Sequence, residues 1–325
     1  MQNSIGIILA KCYGACNYAH YNAHNQKDDT KMNIAKKILK TTIISTLGYT
    51  NYLDLLWHYK FIKAHKTLPN LKKPNLFNEK VRYRMKHDRN HMYTYLSDKV
   101  TARDYISNKI GDKYLVPIRY ILKSPQDILQ NTVRLDRTVI KSNHGAGMVL
   151  VYDGRDKNEV VRLCDSWVST DFSKFLNEMH YSKITPRIII EESLCDENGV
   201  PNDYKFHVFK SLSGQFNYIL QLVNGRFDKE SRAYYLNGME EGDLVYHHGN
   251  GNHQLPSEHK EILMQAAELS KNICTDFDYV RVDWYVSQGK LYFGELTFTP
   301  GASFSFEFGT ELEKKMGAFW EFQII

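Results

Sequence analysis

A stretch near the C-terminal end of the chain, FDYVRVDWYVSQGKLYFGELTFTPGAS at residues 277–303, carries the clearest chemical pattern in the sequence. Residues 280–286 and 290–298 are rich in Val, Tyr, Phe and Thr, and a Ser-Gln-Gly sequence joins them. This composition predicts two β-strands connected as a hairpin. Side chains two positions apart would then share a face of each strand.

Four side chains of this hairpin could meet. Arg281 and Asp283 share one face of the first strand, and Glu295 and Thr297 share one face of the second. Two carboxylates on paired strands repel each other unless a cation lies between them, and such oxygen ligands suit Mg²⁺ or Mn²⁺. The alternative is an ordinary hairpin in which Arg281 forms a solvated ion pair with one of the acids.

A turn follows the second strand directly. The Pro300-Gly301 step ends the strand and exposes backbone amides, and the hydroxyl of Ser303 comes next. Amides and a hydroxyl in a turn can hold an anionic group, so this segment is a candidate for binding substrate.

A second informative stretch is RTVIKSNHGAGMVLVYDG at residues 137–154. Two strand-like segments enclose a loop that contains Gly145 and Gly147, and Lys141 ends the first segment. Glycines let backbone amides approach phosphate oxygens closely, and the lysine supplies a positive charge. The loop has neither the ending of a P-loop nor the spacing of a dinucleotide fingerprint, so a plain glycine hairpin stays open as an alternative.

A third stretch, PRIIIEESLCDENGVPNDYKFHVF, spans residues 186–209. Its apolar start predicts a buried strand that ends at a linker with Glu191, and its end predicts a strand with Asp203 and Lys205 on one face. Glu191 suits the polar edge of an adenine and Asp203 suits a ribose diol. The alternative makes Glu191 and Glu192 solvated ends of a loop.

The elements that would position these residues alternate between helix and strand. The pattern predicts helices beginning at Asn78 and over residues 96–111, a short strand at 115–121 and a helix opened by Ser124. Lys99 falls in the second of these helices. This alternation indicates an α/β region, whereas residues 224–256 read as a polar loop region.

The N-terminal part has a different character. Residues 33–66 show apolar positions at helical spacing with an interruption at Gly48, which predicts two basic amphipathic helices. Their lysines could contact anionic lipid at a membrane surface, although a solvated helix face is the more frequent explanation. Residues 1–30 lack periodicity and end in a polar run.

Composition bounds the class of protein. The chain has 325 residues, with 42 basic and 37 acidic side chains and a formal net charge of +5. This mild excess is compatible with nucleotide phosphates or an acidic sugar, and no nucleic-acid-binding motif accompanies it. The 5 cysteines are scattered and odd in number, which favours a reducing cytoplasm over a disulfide framework. No apolar run reaches the length of a membrane span, and no standard signal peptide is recognised.

The order of these stretches is more specific than any one of them. The segments FNEKV, LSDKVTARDYI, IKSNHGAG, PRIIIEESL, NDYKFHVF, VRVDWY and YFGELTFTPGASF resemble the TupA-like branch of the ATP-grasp superfamily, named for teichuronopeptide biosynthesis. The resemblance covers about residues 70–310. It implies a mixed α/β (α+β) fold in which two lobes clasp ATP.

The resemblance also implies an organisation of the chain. We expect an N-terminal helical extension at residues 1–70, an N-terminal α/β part at 71–136, a small lobe with the glycine loop at 137–204, and a C-terminal lobe with the metal and substrate site at 205–325.

Roles for single residues follow from the same resemblance. The ATP-contacting residues would be Lys99 and Lys141 on the phosphates, His144, Gly145 and Gly147 in the closing loop, Glu191 and the backbone near Leu194 on adenine, and Asp203 on ribose. Asp283, Glu295 and Thr297 would hold Mg²⁺, Arg281 and Lys205 would be catalytic, and Gly301 and Ser303 would bind the substrate carboxylate. Many ATP-grasp enzymes have Asn where this chain has Thr297, a weaker oxygen donor, which puts a second metal site in doubt.

The implied activity is an ATP-dependent carboxylate–amine ligase. A carboxylate would attack the γ-phosphate to give an acyl phosphate, and an amine would displace phosphate to leave an amide. The resemblance places this reaction in the synthesis of capsule or cell-surface polysaccharide, with a sugar acid and an amino acid as substrates, in the cytoplasm or at the inner face of the membrane. A nucleotide-sugar glycosyltransferase and a non-catalytic nucleotide-binding module are the alternatives.

Overall fold

The computed structural model describes residues 29–195, 199–225 and 230–322. The described helices are α1 (Asp29–Leu47), α2 (Tyr49–His65), α3 (Phe77–His87), α4 (His91–Ser97), α5 (Ala102–Ile110), α6 (Lys157–Val168), α7 (Phe172–Phe175), α8 (Lys260–Cys274) and α9 (Gly309–Phe319). Short 3₁₀ helices lie at Asp112–Tyr114, Pro125–Leu129, Met179–Lys183, Glu241–Asp243, Ser257–His259, Pro300–Ser303 and Phe306–Phe308.

Two antiparallel sheets form the framework. The strands are β1 (Ile118–Leu122), β2 (Thr138–Ser142), β3 (Val149–Val151), β4 (Ile188–Glu192), β5 (Asp203–Lys210), β6 (Phe216–Asn224), β7 (Ser231–Leu236), β8 (Leu244–His248), β9 (Tyr279–Ser287) and β10 (Lys290–Thr297). One sheet has four strands in the order β1-β4-β2-β3, and the other has six in the order β10-β9-β5-β6-β7-β8.

Strands β7 and β8 lie where the sequence predicts a polar loop region. Ser231–Leu236 pairs with β6, and Leu244–His248 pairs with β7. The expectation of a loop was therefore wrong for these segments. The short run of Ala and Tyr in β7 is buried against its neighbours, and tertiary pairing outweighs the surrounding Gly and Asn, which disfavour strands.

Both faces of the six-stranded sheet are packed. On one face Tyr204, Phe206 and Val282 belong to a core that also takes in Leu263 of α8. On the other face Phe77 of α3 packs against residues such as Phe209, Tyr279 and Phe308. Aromatic rings at 5.3–6.1 Å between centroids make this second cluster a rigid support.

The second face changes from apolar to charged along β5 and β9. His207 lies at the transition, fully buried, with Nδ1 2.9 Å from the Tyr279 hydroxyl and Nε2 3.1 Å from Gln221 Oε1. Burial lowers the pKa of His207 to about 3, so the ring is neutral. Beyond it, the register places Lys205 opposite Asp283 and His207 opposite Arg281. The packed aromatic residues of β5 and β9 thus hold in place the same two strands that carry the charged side chains.

Among the residues that the structure describes, the contacts divide the chain into two compact units, one within Met1–Leu68 and Gly145–Met148, and one within Pro69–His144 and Val149–Ile325. In the described part of the first unit, helices α1 and α2 meet at Gly48, whose φ is +82°, as predicted from the interruption there. A stripe of α2 at spacing four is buried, formed by Leu53, Trp57, Phe61 and His65. The described residues contain no helix that could cross a lipid bilayer. The four predicted segment boundaries stay predictions.

Candidate active site

The β9–β10 hairpin brings the predicted side chains together. Gln288 and Gly289 have φ of +51° and +66°, the left-handed pair that a tight hairpin turn needs. The register sets Asp283 opposite Glu295 and Arg281 opposite Thr297. All four predicted residues therefore meet across the hairpin.

A β-bulge at Gly294 makes this meeting compatible with a packed core. Phe293 pairs with Trp284 while Glu295 pairs with Asp283, so Gly294 is the extra residue of β10. Phe293 can then face the apolar core while Glu295 faces the charged side. A Cβ at Gly294 would lie 2.9 Å from a ring carbon of Tyr285 and 3.1 Å from the Asp283 carbonyl oxygen. A glycine inside a strand pattern is the sequence signal for such a bulge, and our prediction did not use it.

Arg281 binds both acids of the hairpin. Its Nε donates to Asp283 Oδ1 at 2.6 Å, and its Nη2 donates to Asp283 Oδ2 at 2.8 Å and to Glu295 Oε1 at 2.9 Å. Burial by itself would lower the pKa of Arg281, but the charges of Asp283 and Glu295 raise it above its ordinary value. The simple ion pair of the alternative interpretation is thus present, but Asp283 is 1% exposed and is not a solvated surface group.

Lys205 adds a second cation from the neighbouring strand β5. Its ammonium lies 2.5 Å from Asp283 Oδ2 and 3.2 Å from Asp203 Oδ1. Asp203 is also buried. Because β5 pairs with β9 in register, β5 places this lysine between Asp203 and Asp283, so each of these two buried acids contacts a cation.

Lys99 supplies a third cation, but not from a helix as predicted. It lies in the turn between α4 and α5, with its Nζ 3.3 Å from Glu295 Oε2. Asp98 makes this turn by accepting from the Val100 amide at 2.8 Å and from Asn143 Nδ2 at 2.9 Å. An aspartate that hydrogen-bonds to nearby backbone favours a turn over a helix interior, which is why the expected continuous helix breaks here.

The four-stranded sheet carries Lys141 on β2 and Glu191 on β4, which form an ion pair. Glu191 is buried within β4, paired with Val139 and Ile118, so its predicted place in a linker after the strand was wrong. Three β-branched residues before it continue the strand through both glutamates. Beyond β4, the carbonyl oxygen of Leu194 accepts from the Ser287 hydroxyl at 2.9 Å.

His144 precedes the glycine loop and is buried. Its Nδ1 lies 2.5 Å from Ser142 Oγ and its Nε2 3.3 Å from the Thr170 carbonyl oxygen. Burial lowers the pKa of His144, which favours a neutral ring. Gly147 has φ of +73°, a conformation that favours glycine. The predicted closure of Gly145 and Gly147 over a triphosphate stays a prediction.

The turn after β10 has an unusual backbone. Gly301, Ala302 and Ser303 have φ of +57°, +47° and +67°. Non-glycine residues held in the left-handed region cost free energy and cluster at ligand sites. Ser303 is fully buried, and the Phe304 amide donates to the Gly301 carbonyl at 2.8 Å. The turn is therefore a fixed feature of the fold, and its predicted binding of an anion stays a prediction.

Glu178 and Thr299 are site residues that the sequence reasoning missed. Glu178 is 4% exposed, and its Oε1 accepts from Thr299 Oγ1 at 2.5 Å. Burial raises the pKa of Glu178 to about 7, with Arg281 acting to lower it and Glu295 to raise it. Its partner Thr299 follows the predicted metal ligand Thr297 by two residues, which places Glu178 near the end of β10. A single glutamate in an irregular loop carries no motif, so no sequence signal pointed to it.

The donor set fits a magnesium ion that shares its ligands with phosphates. Asp283 and Glu295 are adjacent across the hairpin, and the Thr297 hydroxyl donates to Glu295 Oε1 at 3.3 Å. The described residues contain no group of three or more His, Cys, Asp or Glu side chains arranged to hold a metal alone. Magnesium commonly takes one or two carboxylates and completes its shell with water and phosphate oxygens, which is the set that this hairpin provides.

Comparison with known proteins agrees with this chemistry at the level of family. The sequence model of a family described as TupA-like ATPgrasp matches residues 79–321. No similar sequence was found among curated proteins.

Several solved structures show a partial likeness. L-amino acid ligase from Bacillus licheniformis is 15% identical, with a TM-score of 0.40, over 66% of this chain and 45% of that one. D-alanine-D-alanine ligase from Helicobacter pylori is 16% identical, with a TM-score of 0.39, over 69% of this chain and 61% of that one. An ADP complex of N5-carboxyaminoimidazole ribonucleotide synthetase is 13% identical, with a TM-score of 0.40, over 68% of this chain and 50% of that one. The chain thus spans 45–61% of the length of these structures.

Proposed function

Because this chain belongs to the TupA-like ATP-grasp family, we propose that it is an ATP-dependent ligase that joins a carboxylate to an amine. The observation that carries the proposal is the network of Arg281, Asp283, Glu295, Lys205 and Lys99 on one face of the six-stranded sheet. Three cations and two adjacent acids suit a reaction in which negative charge moves between phosphate oxygens.

The reaction has two steps in this proposal. The substrate carboxylate attacks the γ-phosphate of ATP, which breaks the bond to ADP and forms an acyl phosphate. The amine nitrogen then attacks the acyl carbon, phosphate leaves, and an amide remains. The chain supplies mainly position and charge, since Arg281 and Lys205 are held by hydrogen bonds to Asp283 before substrate arrives.

Magnesium would be held by Asp283 and Glu295, with Thr297 as a weak third donor. When bound, it would neutralise the phosphate charge that would otherwise repel the attacking carboxylate. The cations that now contact these acids could then turn to phosphate oxygens, because their present partners would be neutralised. Lys99 and Arg281 both form ion pairs with Glu295, and we propose that these two residues move from Glu295 to the phosphate oxygens.

The nucleotide contacts follow the positions of the remaining residues. We assign Lys99 and Lys141 to the α- and β-phosphates, Glu191 and the backbone near Leu194 to adenine, and Asp203 to ribose. The hydrogen bond between Ser287 and the Leu194 carbonyl supports the adenine assignment, because it fixes that backbone against the hairpin turn. We assign Gly301 and Ser303 to the substrate carboxylate.

The biological context rests on the family resemblance. We propose that the substrates are a sugar acid and an amino acid or similar amine, used in capsule or cell-surface polysaccharide synthesis in the cytoplasm. We further propose a peripheral membrane contact through residues 33–66, which contain the basic helices. Removing those residues should then lower binding to anionic vesicles, and unchanged binding would reject this part of the proposal.

Isotope transfer tests the reaction directly. With ¹⁸O in the carboxylate of glucuronate or galacturonate, MgATP and a mixture of amino acids, the acyl-phosphate route moves one ¹⁸O into the released phosphate. The variant Asp283→Asn should release no labelled phosphate. Unlabelled phosphate during amide formation would reject the acyl phosphate. Release of ADP and phosphate without any carboxylate would reject the ligase proposal. If nucleotide sugars but not MgATP stabilise the protein against thermal unfolding, the glycosyltransferase alternative would be favoured.

A further inference from the structure

A cavity beside the proposed reaction centre has no role in the account above. Its volume is about 700 Å³, and it lies among α4, the 3₁₀ helix at Met179–Lys183, the segment that precedes β4, and Thr299. This space is large enough for a small polar substrate. Glu178 and Thr299 form part of its wall, and Thr299 follows Thr297 of the proposed metal site by two residues.

Glu178 gives the cavity an acidic end. Its carboxylate is buried and accepts one hydrogen bond, from Thr299. Among the residues that the structure describes, no lysine or arginine forms an ion pair with it. A buried carboxylate without a paired cation is costly to keep charged. A substrate cation placed against it would remove that cost.

The cavity wall also has two basic groups that lack carboxylate partners. Over the described ranges 29–195, 199–225 and 230–322, neither the Lys183 ammonium nor the Arg187 guanidinium forms an ion pair. The other charged groups of the wall are engaged: Arg84 with Asp278 and Asp88, Asp98 with Asn143, and Arg89 with main-chain carbonyls. Burial lowers the pKa of His180 to about 4, so that ring is neutral.

The spacing of these groups separates the two signs of charge. Lys183 ends the 3₁₀ helix that begins directly after Glu178. At a rise of about 2 Å per residue, five residues separate the two backbone positions by about 10 Å along the helix. Because Lys183 has a long, flexible side chain, its ammonium can approach Glu178 more closely than the backbone positions do, so a ligand whose ammonium and anionic groups lie a few ångströms apart fits this arrangement.

We propose that this cavity is the binding site of the amine substrate and that this substrate is an amino acid. Its ammonium group binds Glu178, and its carboxylate binds Arg187 and Lys183. The inference rests on the ligase function proposed above and deepens it. Glu178 holds the nitrogen at the end of β10, because its partner Thr299 lies between Thr297 and Gly301, the residues assigned above to the metal and to the substrate carboxylate.

Calorimetric titration of the full chain tests this site. Wild type would be saturated with magnesium and a non-hydrolysable ATP analogue and titrated with each proteinogenic amino acid. At least one should bind. Glu178→Gln keeps the acceptor for Thr299 but loses the charge, and it should weaken that amino acid by about 10- to 100-fold, the usual contribution of a charged hydrogen bond. Glu192→Gln, at a half-exposed glutamate outside the cavity, should bind as wild type does.

A second titration tests the residues proposed to bind the carboxylate of the amino acid. Wild type should bind the amino acid more tightly than its carboxamide, and Arg187→Gln should bind the two about equally. A merely structural role for Arg187 would weaken both ligands alike.

The outcomes separate this inference from the proposed function. If the nucleotide analogue fails to bind wild type, the proposed function fails. If the analogue binds but no amino acid does, or if Glu178→Gln binds the amino acid like wild type, the cavity proposal is overturned. Retained affinity for the analogue shows that each variant is folded.

Discussion

Replacing Asp283 by Asn tests whether the charged network raises or lowers the free energy of unfolding. Asp283 is 1% exposed and accepts from Arg281 at 2.6 and 2.8 Å and from Lys205 at 2.5 Å. Asparagine keeps the shape but removes the charge that these three hydrogen bonds depend on. Breaking a buried ion pair costs about 3–5 kcal/mol. The lower end applies here, because Arg281 keeps Glu295 and Lys205 keeps Asp203.

Glu295→Gln is the matched comparison. Glu295 is 28% exposed and contacts Arg281 at 2.9 Å and Lys99 at 3.3 Å. Partly solvated pairs contribute about 1 kcal/mol. We therefore expect Asp283→Asn to lose about 3 kcal/mol and Glu295→Gln about 1 kcal/mol of unfolding free energy.

Thermal unfolding without nucleotide would resolve the two values. At about 2.1 cal/mol/K per residue, a chain of 325 residues has an unfolding entropy near 0.7 kcal/mol/K. The expected decreases in Tm are then about 4 °C for Asp283→Asn and about 1.5 °C for Glu295→Gln. Equal decreases, or a higher Tm for Asp283→Asn, would refute the reasoning from burial and contact.

Three further predictions concern other parts of the fold. Burial raises the pKa of Glu313 to about 8, so the folded chain holds this proton more tightly than the unfolded chain does. The resulting contribution to the free energy of unfolding falls as pH rises from about 4.5 to 8. Urea unfolding of Glu313→Gln should lack this part of the pH dependence of wild type. Gly301→Ala should lower the affinity for the carboxylate substrate, because a Cβ would lie 2.1 Å from Ser305 Oγ at a positive φ; unchanged KM would contradict a substrate role for this turn. In a double-mutant cycle, Lys141→Met and Glu191→Gln should show a coupling energy of about 1–3 kcal/mol, and strictly additive effects would show that the ion pair contributes nothing.

Much of the site could be predicted from the sequence because strand periodicity is local. The alternation in β9 places Arg281 and Asp283 on one face, and that in β10 places Glu295 and Thr297 on one face. The bulge at Gly294, which our prediction did not use, is what brings these two pairs together. The seven ordered segments predicted the TupA-like ATP-grasp family, which the family match over residues 79–321 confirms. The observed helices and sheets confirm the predicted mixed fold.

The errors have a common cause in contacts between distant parts of the chain. The turn that carries Lys99 depends on Asn143, and the extension of β4 through Glu191 depends on pairing with β1 and β2. Glu178 reaches Thr299 across 121 positions of sequence. No local pattern reports such contacts, so a periodicity argument finds the strands of the site but misses groups delivered by loops.

The most direct test of the metal–nucleotide site compares Tm with and without MgATP for wild type, Glu295→Ala and the control Glu311→Ala. Glu311 is 83% exposed and forms a local ion pair with Lys314. A ligand at about 100 times its Kd adds roughly 2.7 kcal/mol, which corresponds to about 4 °C for this chain. We predict that shift for wild type and Glu311→Ala and its loss in Glu295→Ala. An equal shift in Glu295→Ala, or none in wild type, would contradict the account.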